Sequence, residues 1–296
     1  MKIATWNIYW FGDRGVDKIV RNEDDKRTIA EVIKNISPDV LALEEIVDPL
    51  VLEEVLGLAG GAGQNYTIRS TTGQWFTSDS NPTDVGNSLQ KPFLCINTET
   101  VEFIKGATIQ GGPVGRRPFA AVLRHRSSGV EFVAVVVHLR SGYPVFLDPA
   151  DAQVRRNEAT ALARWLQGQA SVDNPAFPEP GSTEVIVLGD FNAEIGDPNH
   201  SLDPLREGSL SGWAWSNPTP DAGQNATAID DGYTIDFIML SPATAVRIAS
   251  PPAIYAYDHD PELGGPSQFH EGPGGSGLLK NYAVSDHRPV TAVLDY

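Results

Sequence analysis

Cysteine and methionine are both scarce in this 296-residue chain, which has one cysteine, Cys95, and two methionines. A single cysteine excludes an intrachain disulfide and a cysteine-based metal site. Cys95 lies in the apolar run from Phe93 to Ile96, and this context predicts a small buried side chain rather than a nucleophile.

Positive charge is also in short supply. The chain has 22 Lys plus Arg against 38 Asp plus Glu, giving a net charge of −16. This balance argues against tight, passive adsorption to nucleic acid or to an anionic membrane. It does not exclude a phosphate-bearing substrate, because a bound divalent cation would reverse the field in an acidic cleft.

Long hydrophobic runs are missing as well. No stretch of about 18 apolar residues exists, so we expect no membrane span, and Ile3–Asn7 contains no signal-peptide core. The protein is therefore either cytoplasmic, or secreted after removal of a leader peptide. Without an internal repeat or a linker, one domain over residues 1–296 is expected, as a monomer with no obligate protein partner.

What the chain does have is a central strand with polar residues at its end. Val185–Leu188 reads as a buried strand, followed by Gly189, Asp190 and Asn192. Side chains two residues apart on an extended segment point the same way, so a carboxylate and an amide should stand together where this strand meets solvent. An Asx-rich turn closing a strand is the competing interpretation.

The same pattern recurs along the chain, where polar groups meet the ends of other predicted strands. The strands and their polar residues are Lys2–Ile8 with Asn7, Val40–Leu43 with Glu44 and Glu45, Val130–Val137 with His138, Gly232–Leu240 with Asp236, and Arg288–Leu294 with Asp286 and His287. Three helices (Arg21–Asn35, Leu50–Leu58, Asp151–Gln167) and a hairpin (Pro92–Asn97 with Val101–Lys105) are also predicted. Taken alone, Asn7 is equally consistent with a turn residue, Glu44 and Glu45 could be a solvated helix N-terminus, and a lone histidine at a strand end such as His138 is usually structural.

Strand ends collect along one edge of a sheet, so these groups could converge in one cleft. Carboxylates bind a hard cation such as Mg²⁺ through oxygen. A carboxylate base can handle water, while amide and imidazole donors can meet charge that grows on phosphate oxygens. The inventory therefore suits metal-assisted hydrolysis of a phosphate ester.

Six short blocks in order resemble the endonuclease/exonuclease/phosphatase superfamily, which includes pancreatic-type deoxyribonucleases and exonuclease III-like AP endonucleases. The blocks are Thr5–Ile8, Pro38–Glu45, Val137–Leu139, Gly189–Asn192, Ile235–Ile238 and Ser285–Val290. This resemblance implies an α/β fold, a four-layer α/β/β/α sandwich of two packed, mostly antiparallel sheets flanked by helices. It also implies a Mg²⁺ cofactor, with Mn²⁺ or Ca²⁺ as alternatives.

The resemblance also implies roles for individual residues. Glu45 matches the metal-binding glutamate, with Asn7 and Asp286 in support, and Asp190 matches the group that orients or deprotonates the attacking water. Asn192 would stabilise the transition state, and His287, with Asp236 as its carboxylate partner, would contact the scissile phosphate. His138 resembles a second phosphate-facing histidine of the deoxyribonuclease branch, and Arg117 resembles a phosphate-side arginine of that branch.

The chain departs from the family pattern in three places. A glutamate, Glu44, stands where the family usually has glutamine, which adds a negative charge beside the metal ligand Glu45. Glu44 either supports the metal ligand without binding the metal or is simply solvated. Gln90 stands where the deoxyribonuclease branch has the glutamate partner of its first histidine. The tyrosine and asparagine typical of AP endonucleases are not found in the stretch before Phe93.

These observations favour a divalent-metal-dependent phosphodiesterase, a nuclease acting on DNA or RNA. One alternative is a phosphatase or phosphodiesterase acting on a small molecule or lipid headgroup, although Ala193 replaces the tyrosine found after this block in the inositol phosphatase branch. The other is a catalytically silent binding protein on the same fold. Trp213 and Trp215 could stack on substrate rings, but loop anchors are the more common role.

Overall fold

The computed structural model describes residues 1–11, 21–60, 65–70, 91–110, 117–142, 148–180, 183–216, 219–220, 226–229, 232–260, 263 and 284–296. The strands are β1 (Lys2–Phe11), β2 (Val40–Ile46), β3 (Tyr66–Ser70), β4 (Lys91–Asn97), β5 (Val101–Thr108), β6 (Phe119–His125), β7 (Glu131–His138), β8 (Glu184–Asp190), β9 (Ala214–Trp215), β10 (Thr219–Pro220), β11 (Asp236–Leu240), β12 (Ile248–Ile254) and β13 (Val290–Leu294). The helices are α1 (Glu23–Ile36), α2 (Pro49–Ala59), α3 (Pro149–Leu166) and α4 (Pro242–Ala245).

The strands form two sheets that pack face to face. The first sheet has the order β10-β12-β13-β1-β2-β4-β3, and the second has the order β5-β6-β7-β8-β11-β9. Most neighbours are antiparallel, and β1–β2, β7–β8 and β10–β12 are parallel. One apolar cluster fills the space between the sheets, a second joins α1 and α2 to the first sheet, and a third joins α3 to the second sheet. The predicted α/β/β/α sandwich is confirmed.

The helix boundaries follow from capping residues. Asn22 and Asp25 form a capping box at the start of α1, so this helix begins two residues later than Arg21, and it ends at Ser37 in the left-handed conformation. Asp48 and Asp148 cap α2 and α3, and each is followed by a proline in the first turn. Neither α1 nor the other helices in the described ranges has the length and apolar character needed to cross a bilayer.

The predicted hairpin of β4 and β5 is wrong. β4 pairs with β2 and β3 in the first sheet, whereas β5 pairs with β6 in the second. The turn at residues 98–100 therefore carries the chain from one sheet to the other. Sequence spacing cannot tell such a crossing from a hairpin, because both need two strands and a short polar turn.

The other differences are matters of length. β11 begins at Asp236 rather than at Gly232, and β13 begins at Val290 rather than at Arg288. Cys95 is fully buried on β4, as predicted, and burial raises the pKa of its thiol. The sequence also predicts a short strand at residues 74–76 and a flexible loop at residues 272–277, and both ranges lie outside the described residues.

Candidate active site

Strands from both sheets deliver the predicted site residues to one edge of the sandwich. In the second sheet, His138 of β7 lies opposite Asp190 of β8, and Asp190 lies opposite Asp236 of β11. This register places an imidazole and two carboxylates in one row across three adjacent strands. All three side chains are buried.

Gly189 makes this row possible. Its φ is 149°, and a Cβ atom added to it would lie 1.9 Å from the carbonyl oxygen of Val137 on β7. No side chain fits in that space, so only glycine lets β8 pass this close to β7. The glycine predicted to open a turn is thus needed for strand packing, one residue before the row.

Asn7 links the first sheet to this row. Its Nδ2 donates to Oδ2 of Asp190 over 3.0 Å, and its Oδ1 accepts the backbone N–H of Tyr9. Asn192 adds two donors, since its Nδ2 bonds to Oδ2 of Asp190 at 2.9 Å and its backbone N–H bonds to Oδ1 at 2.7 Å. The Asp190 carboxylate is therefore held by two amide side chains and one peptide group.

Asp190 and Asn192 meet as predicted, but by a different conformation. The strand ends at Asp190, and Asn192 has φ 50° in the left-handed region. The contact is an Asx-type turn rather than the alternation of an extended segment. The turn interpretation is therefore confirmed, and the turn brings together the two side chains that the site interpretation requires.

The environment of Asp190 is one in which a carboxyl group ionises with difficulty. Burial and the neighbouring Asp236 raise the pKa of Asp190 to about 7, although His287, Asn7 and Asn192 act in the opposite direction. A carboxyl group with a pKa near neutrality can both accept and release a proton at physiological pH.

His287 forms the predicted pair with Asp236. Its Nδ1 lies 2.8 Å from Oδ2 of Asp236, whose side chain is fully buried. Burial alone would lower the pKa of His287, but the charges of Asp236, Asp286 and Asp190 and the hydrogen bond outweigh it, so the pKa is raised well above its usual range. The structure thus favours a cationic imidazole with Nε2 directed away from Asp236.

Glu45, His138 and Asp286 complete the edge. Nε2 of His138 lies 3.6 Å from Oε1 of Glu45 and 3.7 Å from Oδ2 of Asp190. Oδ1 of Asp286 lies 3.9 Å from Nε2 of His287. Burial raises the pKa of Asp286 to about 6, and the charge of Glu45 adds to that effect. Two carboxylates thus repel each other in a space where a cation would relieve them.

Two sets of residues could hold a metal ion. The ligand atoms of Asp190, Asp236 and His287 lie within 4.8 Å of one another. In this set His287 bonds to Oδ2 of Asp236 and two amides bond to Asp190, while Oδ1 of Asp236 is buried without a hydrogen bond among the described residues. Glu45 and Asp286 form the second set: the charge of Glu45 raises the pKa of Asp286, and Oδ1 of Asp286 is also buried without a hydrogen bond among the described residues.

Backbone strain is concentrated at the same edge. Five non-glycine residues of the described chain have positive φ, and three of them are Tyr9 (28°), Glu45 (61°) and Asn192 (50°). Such conformations cost free energy and persist where surrounding contacts enforce them. They indicate that the placement of Glu45 and Asn192 is imposed by the fold.

Glu44 is buried, so its interpretation as a solvated helix end is wrong. It lies on β2 with 0% exposure, and its Oε1 accepts a 3.1 Å hydrogen bond from Thr5. Burial, Asp236 and Asp190 raise its pKa well above the usual range. A protonated Glu44 is uncharged, like the glutamine that the family pattern has at this position.

The remaining predicted residues are less closely tied to this edge. Arg117 precedes β6, and the first residue of β6 pairs with Val136 near the end of β7. Nη1 of Arg117 donates to Oε1 of Gln110 at 3.0 Å. Gln90 lies outside the described residues. Trp215 packs against Phe191 and Phe237 with ring centroids 5.2 and 5.8 Å apart, which is the contact expected of a loop anchor.

Two supporting residues were not predicted from the sequence. Arg21 is buried and donates to the carbonyl groups of Ile8, Tyr9 and Val284, which joins the ends of β1 to the segment before Asp286. Thr227 is fully buried, and its Oγ1 accepts the backbone N–H groups of Ile235 and Asp236. No sequence signal marks either role, because Arg21 reads as the first residue of the predicted helix Arg21–Asn35 and Thr227 lies outside the predicted strands and helices.

The chain is similar in sequence to known proteins. The profile of the Endonuclease/Exonuclease/phosphatase family matches residues 4–287. A curated relative, Nocturnin of Drosophila melanogaster, is 26% identical over 185 residues, which is 61% of this chain and 26% of the relative. A deoxyribonuclease of Thioalkalivibrio sp. (strain K90mix) is 28% identical over 238 residues, 78% of this chain and 54% of the relative. The chain thus spans about half of one relative and a quarter of the other.

Solved structures share the fold. D. rerio TDP2 complexed with a single-strand DNA product has a TM-score of 0.61 at 15% identity, and the match covers 100% of this chain and 99% of that one. The human Nocturnin catalytic domain with bound sulfate has a TM-score of 0.57 at 18% identity, covering 99% and 93%. At these identities, the likeness extends to the fold alone.

Proposed function

The chain belongs to the endonuclease/exonuclease/phosphatase family, and from this premise we propose that it is a divalent-metal-dependent phosphodiesterase, a nuclease acting on DNA or RNA. One observation carries the proposal. Asn7 from the first sheet bonds to Asp190 in the middle of the His138–Asp190–Asp236 row of the second. The contact assembles a base, a cation and amide donors at one edge.

Glu45 and Asp286 would hold the metal ion, with Asn7 in support. Their oxygen donors fit a hard cation such as Mg²⁺, with Mn²⁺ or Ca²⁺ as alternatives. Oδ1 of Asp286 has no hydrogen bond among the described residues, and this and the repulsion between the two carboxylates support the assignment. When bound, such a cation supplies positive charge that stabilises the negative charge developing on the phosphate oxygens.

Asp190 is the proposed base. Its pKa of about 7 suits proton transfer from an attacking water near neutral pH. The amides of Asn7 and Asn192 hold the carboxylate in one orientation, so its free lone pairs face a fixed direction. Preorganisation of this kind lowers the cost of reaching the reactive geometry.

His287, His138 and Asn192 are the proposed donors to the phosphate. Asp236 keeps the imidazole of His287 cationic and fixes its ring, so that Nε2 can donate to a phosphate oxygen. His138 lies between Glu45 and Asp190, where its Nε2 can do the same. Donors fixed before the reaction stabilise charge that develops in the transition state.

Similar proteins support a nucleic acid substrate, since one is a deoxyribonuclease and another is TDP2 in complex with a DNA product. The test is hydrolysis of plasmid DNA, single-stranded RNA and bis-p-nitrophenyl phosphate, each with Mg²⁺, with Mn²⁺ and with EDTA. Metal-dependent cleavage of either polymer is the expected result. Cleavage of the small diester alone would support the small-molecule alternative, and no cleavage with bound metal would support a silent binding protein.

A further inference from the structure

Arg140 lies two residues beyond His138, on the segment that connects β7 with α3 at the site edge. Nothing in the catalytic assignment above uses this residue. Its surroundings differ from those of an ordinary surface arginine, because charged side chains of α3 hold both polar groups of its backbone.

The backbone of Arg140 is clamped by α3. Its N–H donates to Oε2 of Glu158 over 2.6 Å, and its carbonyl oxygen accepts a 2.7 Å hydrogen bond from Nη1 of Arg155. Arg155 is fully buried. Gly142, two residues later, passes so close to α3 that an added Cβ would lie 2.7 Å from Cβ of Asp151. The segment therefore has little freedom to move.

The same segment is bonded to the proposed catalytic groups. The carbonyl oxygen of Leu139 accepts Nδ2 of Asn192 at 3.1 Å, and the N–H of Leu139 donates to the carbonyl oxygen of Asp190 at 3.0 Å. Arg140 is thus fixed relative to Asp190 and Asn192 by neighbouring peptide groups. A ligand bound by its side chain would be fixed relative to them as well.

The guanidinium group of Arg140 is oriented by a hydrogen bond at Nε, and its other donors remain available to a ligand. Nε donates to Oδ1 of Asp151 over 2.8 Å, and the Arg140 side chain is 55% exposed. Within the described part of the chain, Nη1 and Nη2 have no hydrogen-bond acceptor. A guanidinium anchored at Nε still presents the fork of its two Nη groups, which matches two oxygens of a phosphate.

The charge distribution around the site favours phosphate binding at the two Nη groups of Arg140. The first-sheet side of the site carries Glu45 and Asp286, and the net charge of the chain is −16. A polyanion therefore meets repulsion there, and cations on the second-sheet side decide where a second phosphate can rest. Arg140 and Arg117 both lie on that side.

We propose that Arg140 binds a non-scissile phosphate of a nucleic acid strand, next to the phosphate that is cleaved. The inference rests on the proposed function, whose site it extends by one phosphate position. It assigns to Arg140 the placement of a strand rather than a part in bond cleavage. A substrate with a single phosphate cannot use this contact.

The test is equilibrium binding of a fluorescent single-stranded DNA oligonucleotide, measured by anisotropy in EDTA so that no turnover is required. Wild type, R140Q, R140K and R126Q are compared between roughly 50 and 200 mM salt. Arg126 is the matched control, because it is exposed on the turn before β7, at the opposite end of that strand. R126Q removes the same charge from the other end of the sandwich.

R140Q is expected to weaken binding about threefold to tenfold and to reduce the slope of log Kd against log salt by about 0.7, the value for one phosphate contact on a single strand. R140K should fall between wild type and R140Q, since it keeps the charge without the fork. Equal slopes for R140Q and R126Q would overturn the proposal, and so would a weaker affinity with an unchanged slope. Because the assay needs no cleavage, a failure of the proposed function would appear separately, as absent hydrolysis.

Discussion

Nδ2 of Asn7 and Oδ2 of Asp190 are joined by a 3.0 Å hydrogen bond that crosses from one sheet to the other. Asn7 lies on β1 of the first sheet, and Asp190 ends β8 of the second. The bond requires the two sheets to pack with these strand ends side by side. Tertiary structure therefore orients the proposed base. Residues on one sheet alone would not give the same arrangement.

N7D tests what this bond does for Asp190. The Asn7 amide lowers the pKa of Asp190, so replacing it with a carboxylate should raise that pKa and move the acidic limb of the pH–rate profile to higher pH. The profile is measured with bis-p-nitrophenyl phosphate at saturating metal. N35D, on the exposed end of α1, is the control; a limb that stays in place in N7D would count against the assignment of Asp190 as the base.

D236N tests the charge of His287. The Asp236 carboxylate and its hydrogen bond raise the pKa of His287 against the effect of burial, so their loss should lower this pKa and move the alkaline limb of kcat/KM to lower pH. D203N is a matched control, since Asp203 forms a 2.9 Å ion pair with the exposed His200 and this pair lies away from the site. An unmoved alkaline limb in D236N would show that His287 need not be cationic.

E44Q tests the buried carboxyl group that replaces the usual glutamine. Because its pKa is raised in the folded state, the folded protein binds more protons than the unfolded chain above about pH 4.3, and stability falls as pH rises. E44Q has no carboxyl group to ionise, so it does not lose stability in this way. As pH rises, the free energy of unfolding of E44Q relative to wild type should therefore increase by up to about 1.4 kcal/mol per pH unit, and this pH dependence should be absent below pH 4.

The measurement for E44Q is denaturant unfolding at several pH values. E102Q, at a partly exposed ion pair with Arg124, serves as the control and should show little change. A stability difference between E44Q and wild type that does not depend on pH would mean that Glu44 is ionised in the folded protein.

E45Q tests the metal site without measuring activity. Removing one of two ligand carboxylates should weaken Mn²⁺ binding by at least about tenfold, measured by isothermal titration calorimetry. E53Q, on the exposed face of α2, removes the same charge outside the site. If E45Q and E53Q bind Mn²⁺ equally well, Glu45 is not a ligand, and the group of Asp190, Asp236 and His287 becomes the stronger candidate.

Much of this site was predictable because it lies at the ends of strands. Apolar runs mark where β2, β7 and β8 end, and because β7 and β8 are parallel, the polar residues at their ends lie at the same edge of the second sheet. The two-sheet arrangement came from the family resemblance, since spacing alone wrongly joined β4 and β5 in a hairpin. Sequence-local patterns do not record which sheet a strand enters.

The missed features depend on contacts between distant segments. Thr227 holds the N–H of Asp236 nine residues away, and Arg21 joins two distant chain segments through the carbonyl groups of Ile8, Tyr9 and Val284. The burial of Glu44 depends on how the sheets pack, which a local pattern of two adjacent glutamates does not show. Asn192 contacts Asp190 because its own backbone is in the left-handed conformation, which strand alternation cannot predict.

The most direct test of the account is the hydrolysis of a labelled single-stranded DNA by wild type and D190N, with Mg²⁺ titrated into metal-free protein. The account predicts that wild-type cleavage appears with Mg²⁺ and stops with EDTA. D190N, which keeps the shape of the side chain, should be about 10²- to 10⁴-fold slower while its melting temperature shows that it is folded. Cleavage in EDTA, or a folded D190N with wild-type activity, would contradict it.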